Sequence, residues 1–319
     1  MWRVLAPALI CAALQAQQID LRVDVSAVNV TCEVTDANGV PVKNLAAADF
    51  ELRDNGRPQI IDHLWQENDL PLTIGLIVDV SGSQSTFIAT HRQTVAQFLA
   101  QVMRPQDRAF IATVGPEVKL LADLTSSVDE LRRRIGEIDF MQNAGVQFGE
   151  SCEGTIPLRG CGGTALWNGV YAAAGQKMRW VHGRKALIIL SDGLDTGSLH
   201  SLSDAIETVQ ESDTVVYAIK YVDADLTPAQ AGVSRRAPNR GLERLTDETG
   251  GWTFPNPGGQ LTDVFARIEQ ELRSQYVLGF TPPPEARDGR FHKLDVRVAR
   301  PAARTLTVRA RIGYYAPAR

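Results

Sequence analysis

Ile74-Gly75-Leu76-Ile77-Val78-Asp79-Val80-Ser81-Gly82-Ser83 is the stretch on which the reading of this chain turns. Its first half is apolar without alternation, the pattern of a strand covered on both faces in a parallel sheet. Its second half places a carboxylate and two hydroxyls at alternate positions just where the strand ends. Asp79, Ser81 and Ser83 are hard oxygen donors, which suit Mg²⁺, Mn²⁺ or Ca²⁺ better than zinc. The stretch predicts a divalent cation held at the mouth of a sheet, with room left for a carboxylate from a partner.

Working outward, strands alternate with amphipathic helices from Pro71 to about residue 274. Strands are expected at 74–79, 108–114, 118–121, 185–190, 215–221 and 252–254, and helices at 86–103, 127–138, 164–178, 201–211, 241–249 and 259–274. The first helix carries Phe87, Ile88, Val95, Phe98, Leu99 and Val102 on one stripe. Residues 139–163 read as a long loop and 223–240 as an insertion containing Pro and Arg. Strand–helix alternation means a doubly wound, mostly parallel α/β sheet with helices on both faces.

The flanks read differently. In residues 18–68, Val28 to Val34 alternate with period two, Asp36-Ala37-Asn38-Gly39 is a hairpin-turn signal, and Asp54-Asn55-Gly56 turns the Phe50–Leu52 strand towards Ile60 and Ile61. After residue 274, Tyr276, Leu278 and Phe280 alternate, as do Leu294, Val296 and Val298, and then Leu306, Val308, Ala310 and Ile312. Neither flank has strands enough to stand alone. They are expected to pair into one β-sandwich with the α/β unit inserted between them; two separate small β units are the alternative. The resulting division is 1–16 leader, 17–69 first β segment, 70–274 α/β unit and 275–319 second β segment.

The chain has 319 residues, 44% hydrophobic and 22% charged, which is the composition of an ordinary globular protein. A net charge of -4 gives no reason to expect nucleic acid or an anionic membrane as partner. Arg3, the apolar stretch Val4 to Leu14 and Leu14-Gln15-Ala16 read as a signal peptide cleaved after Ala16, too short to span a bilayer. Export to the periplasm, cell surface or medium is expected, with no membrane insertion after cleavage. Cys152 and Cys161 flank a short Gly- and Pro-containing loop, read as a disulfide of about 2–3 kcal/mol in an oxidising compartment. Cys32 lies in phase with Val28, Val30 and Val34 and reads as a buried strand thiol. No CxxC pair or HExxH is present, so no zinc motif is seen.

In an open α/β sheet, ligands bind outside the carboxyl ends of the strands where strand order reverses. Ser191-Asp192-Gly193 ends a second strand, and Cys161-Gly162-Gly163-Thr164 opens a helix on the same edge. Asp79, Ser81, Ser83, Thr164 and Asp192 are therefore the candidate metal ligands. Each segment alone has a bland reading: Ser83 or Thr164 as a helix cap, Asp192-Gly193 as a turn. Their joint order and placement favour the cation.

With those residues in view, the central region resembles a von Willebrand factor type A domain. Asp79-x-Ser81-x-Ser83, Thr164 and Asp192 match the metal-ion-dependent adhesion site (MIDAS) of that family. The resemblance implies that the serines ligate the metal directly, and the threonine and aspartates directly or through water. Leu45-x-x-x-Asp49-Phe50-Glu51, Asp54-x-Gly56-x-Pro58-Gln59, Gln275-Tyr276-x-Leu278-Gly279-Phe280 and Arg311-x-Gly313-Tyr314-Tyr315 resemble the flanks of bacterial VWFA-related proteins common in acidobacteria. The cysteine-containing loop and the 223–240 insertion depart from the pattern.

Three functions compete. An exported binding module, with Mg²⁺ (or Mn²⁺ or Ca²⁺) completed by a protein ligand's Asp or Glu, is the leading expectation. An assembly subunit working with an ATPase is the second, although the chain lacks a P-loop. A hydrolase is the weakest: the Gly-x-Ser-x-Gly elbow is absent and no motif places a histidine as base. Enzymatic activity is not expected.

Overall fold

A computed structural model describes residues 27–66, 71–81, 88–138, 164–221, 240–255, 261–299 and 306–316. The leader, Ser83, Cys152, Cys161 and the 223–239 part of the insertion lie outside the described residues. No helix among those described is long and apolar enough to cross a membrane.

The quoted apolar run forms β5 (Leu72–Asp79), buried at every position and central in a six-stranded sheet. Beside it on one side run β6 (Arg108–Val114) and β7 (Val118–Thr125), and on the other β8 (Arg184–Ser191), β9 (Val215–Lys220) and β10 (Trp252–Pro255). All neighbours are parallel except the edge strand β7, which returns antiparallel through a hairpin and runs longer than its sequence pattern implied. The chain builds from β5 to β7 and then crosses back to lay β8 on the opposite side of β5. The switch point therefore lies between the carboxyl ends of β5 and β8.

Helices cover both faces. On one, α1 (Ile88–Val102), α2 (Val128–Gly136) and α6 (Leu261–Ser274) bury Val95, Phe98, Leu99, Leu131, Ile135, Phe265 and Ile268. On the other, α3 (Leu166–Ala172), α4 (Leu202–Glu211) and α5 (Gly241–Thr249) bury Leu166, Val170, Ile206, Val209 and Leu245. The helix expected over 164–178 divides: α3 passes into a π-helical turn at Ala173–Lys177 and a 3-10 turn at Met178–Trp180. Leu166, Val170, Ala174 and Met178 all face the core at a spacing of four. That spacing exceeds the α-helical period, and the wider turn accommodates it.

The flanking segments form two four-stranded antiparallel sheets. One has the order β13-β1-β11-β4, with β1 at Val28–Thr35, β4 at His63–Gln66, β11 at Tyr276–Phe280 and β13 at Thr307–Ala310. The other has the order β14-β12-β2-β3, with β2 at Phe50–Asp54, β3 at Arg57–Gln59, β12 at Phe291–Val298 and β14 at Gly313–Tyr315. Both mix strands from the two ends of the chain, and they enclose one core that includes Val30, Val34, Leu52, Tyr276, Leu278, Phe280 and Leu294. Asn55 and Gly56, both at positive φ, turn β2 into β3. Ile60 does not join that core; it follows β3 and is 82% exposed.

The flanking motifs have structural work. Asp49 accepts a hydrogen bond from the Ala46 amide at 2.7 Å and its carbonyl accepts one from Ala299. Buried Asp54 accepts from Tyr314 Oη at 2.9 Å and faces His292 Nδ1 at 2.8 Å, tying β2, β12 and β14 together. Tyr276 Oη donates to the Val42 carbonyl and accepts from the Leu45 amide. Arg311 reaches out of the β sheets into the α/β unit, where it meets Asp213 Oδ1 at 2.7 Å and the Gln210 carbonyl at 3.1 Å.

Candidate metal centre

Val78 of β5 stands opposite Leu190 of β8, so the next residues, Asp79 and Ser191, meet at the switch point. Both are fully buried. Ser191 Oγ donates to Asp79 Oδ2 at 2.6 Å, and the Ser81 amide donates to Asp79 Oδ1 at 2.9 Å. The Ser81 hydroxyl also bonds Asp79. Ser191 Oγ in turn accepts the Gly193 amide at 3.0 Å, which shapes the turn carrying Asp192. Gly193 takes the left-handed conformation there, at φ 79°.

Burial above all, with the charge of nearby Asp192, pushes the Asp79 carboxyl up to about 6 against the pull of its bonds to Ser191 and Ser81. Asp192 is half-buried, and its Oδ1 accepts the Leu194 amide at 2.8 Å. Two carboxylates thus sit close together in a desolvated pocket, an arrangement that costs free energy without a cation or donors between them.

Thr164 reaches the same loop. Its amide donates to Thr196 Oγ1 at 3.0 Å, and its carbonyl accepts from the Thr196 and Gly197 amides. Ala165, not Thr164, occupies the N-cap of α3, and its amide donates to the Gly115 carbonyl at 2.7 Å. The Thr164 side chain is therefore not consumed as a cap. It is buried, and no hydrogen bond to its hydroxyl is present among the described residues. Gly169 lets α3 approach the sheet closely; a Cβ there would meet Val114 Cγ1 at 2.3 Å.

Four of the five candidate ligands, Asp79, Ser81, Thr164 and Asp192, thus stand on one edge of the sheet; Ser83 is outside the described residues. Three contributors went unread in the sequence. Ser191 orients Asp79. Asp195 and Ser198 accept the Trp167 and Asn168 amides at 3.2 and 3.0 Å, which anchors the first turn of α3 to the Asp192 loop. The acid-rich loop composition after β8 was their only trace.

The donor set fits a hard divalent cation. It offers carboxylate and hydroxyl oxygens. Among the described residues no three His, Cys, Asp or Glu side chains converge on one point, as a zinc cage would need.

No protein-family model matches this chain, and no curated protein matches it. Solved structures do. A conserved protein, BatB, from Bacteroides thetaiotaomicron is 12% identical, with a TM-score of 0.45 over 64% of this chain and 100% of that one. A von Willebrand factor type A protein from Catenulispora acidiphila is 12% identical, with a TM-score of 0.46 over 92% of this chain and 75% of that one. Proximal thread matrix protein 1 from the mussel byssus, solved with a zinc-occupied MIDAS motif, is 13% identical, with a TM-score of 0.47 over 69% of this chain and 50% of that one. By its own strand order, antiparallel edge strand and two helical layers, the central unit has the von Willebrand factor A-type fold that its loop residues resemble.

Proposed function

We propose that the α/β unit is a protein-binding module dependent on a divalent cation. Asp79, Ser81, Ser83, Thr164 and Asp192 would hold Mg²⁺, Mn²⁺ or Ca²⁺, and a partner's Asp or Glu would complete its coordination. Bound there, the cation supplies an electrophilic centre for an acidic side chain. The protein's part is to fix Asp79 through Ser191 and Ser81 and to keep its carboxylate dry. The observation that carries this reading is the fully buried Asp79 carboxylate, held at the switch point beside Asp192. Hydroxyl donors leave a cation more electrophilic than a cage of carboxylates would, which favours capture of an outside acid. Export through the 1–16 leader belongs to the same reading, and a mature chain beginning at Gln17 is its mark.

Titration of the full chain with Mn²⁺ or Mg²⁺ tests the proposal. One equivalent should bind, and Asp79→Ala should abolish binding with an unchanged circular dichroism spectrum. Undiminished binding by that variant would refute the assigned centre, and global unfolding would make Asp79 a structural residue instead.

A further inference from the structure

A second groove lies far along the chain from the Asp79 centre, where the β sheets meet the α/β unit. Its volume is about 370 Å³, and it runs between the 36–41 turn and α6. Glu33 of β1 and Glu271 of α6 line it, together with Asn38, Pro41, Ala266 and Arg267. Glu33 is 9% exposed and Glu271 4%.

The Glu33 carboxylate has no hydrogen-bond or ion-pair partner among the described residues. Neither nearby cation pairs with Glu33. Arg309 stands opposite Glu33 in the β1–β13 register, but its guanidinium lies 3.8 Å from the centroid of Trp252 and donates to the Gly251 carbonyl at 3.3 Å. Arg267 Nε donates to Glu271 at 3.1 Å, and its guanidinium lies over Trp252 and Phe254. Burial first, and then the Glu271 charge, push the Glu33 carboxyl up to about 7 against the pull of Arg309 and Arg267. On a side chain this buried an ionised, unpaired carboxylate is costly, so the group keeps its proton until something positive reaches it. The groove is the route by which something can.

We propose that this groove binds an organic cation, an ammonium or guanidinium group seated against Glu33, beside the Glu271–Arg267 pair, with its aliphatic stem along Pro41 and Ala266. Two carboxylates are too few for a protein cage around a metal, and among the described residues no three His, Cys, Asp or Glu side chains are grouped to hold one. The apolar wall suits a carbon stem, as the flank of a long basic side chain does. Asp263 at the groove adds negative charge that favours approach. The cation comes either as a free alkylamine or as the lysine side chain of a partner protein.

Calorimetric titration of the full chain at a pH above the Glu33 transition tests this with n-butylammonium, 1-butanol and a lysine-containing peptide. Butylammonium should saturate one site and 1-butanol should not. Glu33→Gln should weaken butylammonium binding about tenfold or more, the size expected for losing one member of a desolvated charge pair. Ala266→Leu, which narrows the groove and spares both carboxylates, should weaken it as well, so the result does not rest on one variant. Asp79→Ala should leave it unchanged. Tighter binding of the peptide assigns the site to a partner's lysine, and tighter binding of butylammonium to a free amine. No saturation, equal binding by Glu33→Gln, or displacement of the amine by low concentrations of Mg²⁺ alone would overturn the proposal.

Discussion

Ser191 joins the two halves of the switch point through a single oxygen, donating to Asp79 and accepting from Gly193. Ser191→Ala removes a buried bond to a carboxylate and the oxygen that accepts the Gly193 amide. The expected loss is about 1.5–3 kcal/mol of stability, the range for hydrogen bonds to charged groups, read as a lower urea midpoint. Mn²⁺ affinity should fall too, because Asp79 loses the contact that orients it. Unchanged stability and affinity would mean that Ser191 merely fills space. Asp79, Ser81 and Asp192 were legible in the sequence because each follows an apolar strand with an oxygen donor. Ser191 was not, because its role depends on which residue of β5 stands beside it. Strand register fixes that, and no local pattern encodes it.

Among the elements, α3 matters most to the site, since Thr164 immediately precedes its N-cap and Gly169 packs on the sheet. Gly169 is the point of closest approach to Val114. Gly169→Ala should destabilise by about 1–3 kcal/mol through overpacking, despite alanine's better helix propensity. It should also weaken cation binding by displacing Thr164 outward. A stabilised Gly169→Ala protein with full affinity would show that the helix yields freely. The helical period was readable over 164–178, but the break into a π-helical turn was not. It arises from the sheet beneath, which must receive Ala174 and Met178 at a spacing of four.

Across the whole molecule, polar contacts tie the β sheets to the α/β unit. Besides the Asp213 and Gln210 contacts of Arg311, the Ile312 amide donates to the Glu248 carbonyl at 3.3 Å, and Arg311 is itself held to β1 by donating to the Asn29 carbonyl at 2.7 Å. A Cβ on Gly250 would lie 2.7 Å from the Arg311 amide nitrogen. The same junction holds Glu33, whose carboxyl rises from 4.5 to about 7 on folding. The folded protein thus binds this proton more tightly than the unfolded chain. Its contribution is full below about 4.5 and is lost as pH rises through about 7, an effect on the order of 3 kcal/mol. Glu33→Gln cannot ionise, so the difference in stability between variant and wild type should grow in the variant's favour from pH 5 to pH 8. Denaturant curves at several pH values check this; parallel pH profiles would show that Glu33 is solvated in solution.

By itself the sequence determined the α/β class, the central buried strand and the oxygen donors at its end. Those features are local: apolar runs, helical stripes and turn residues carry their own periods. It also placed β strands in both flanks, because alternation is visible within a few residues. Only the tertiary structure decided that head and tail strands interleave in two sheets around one core, since pairing between residues more than two hundred positions apart leaves no local signature. Tertiary structure likewise decided that Ser191 serves Asp79, and that Glu33 is left facing a groove while Arg309 turns to Trp252. Those outcomes depend on register and on competition among neighbours for the same charge.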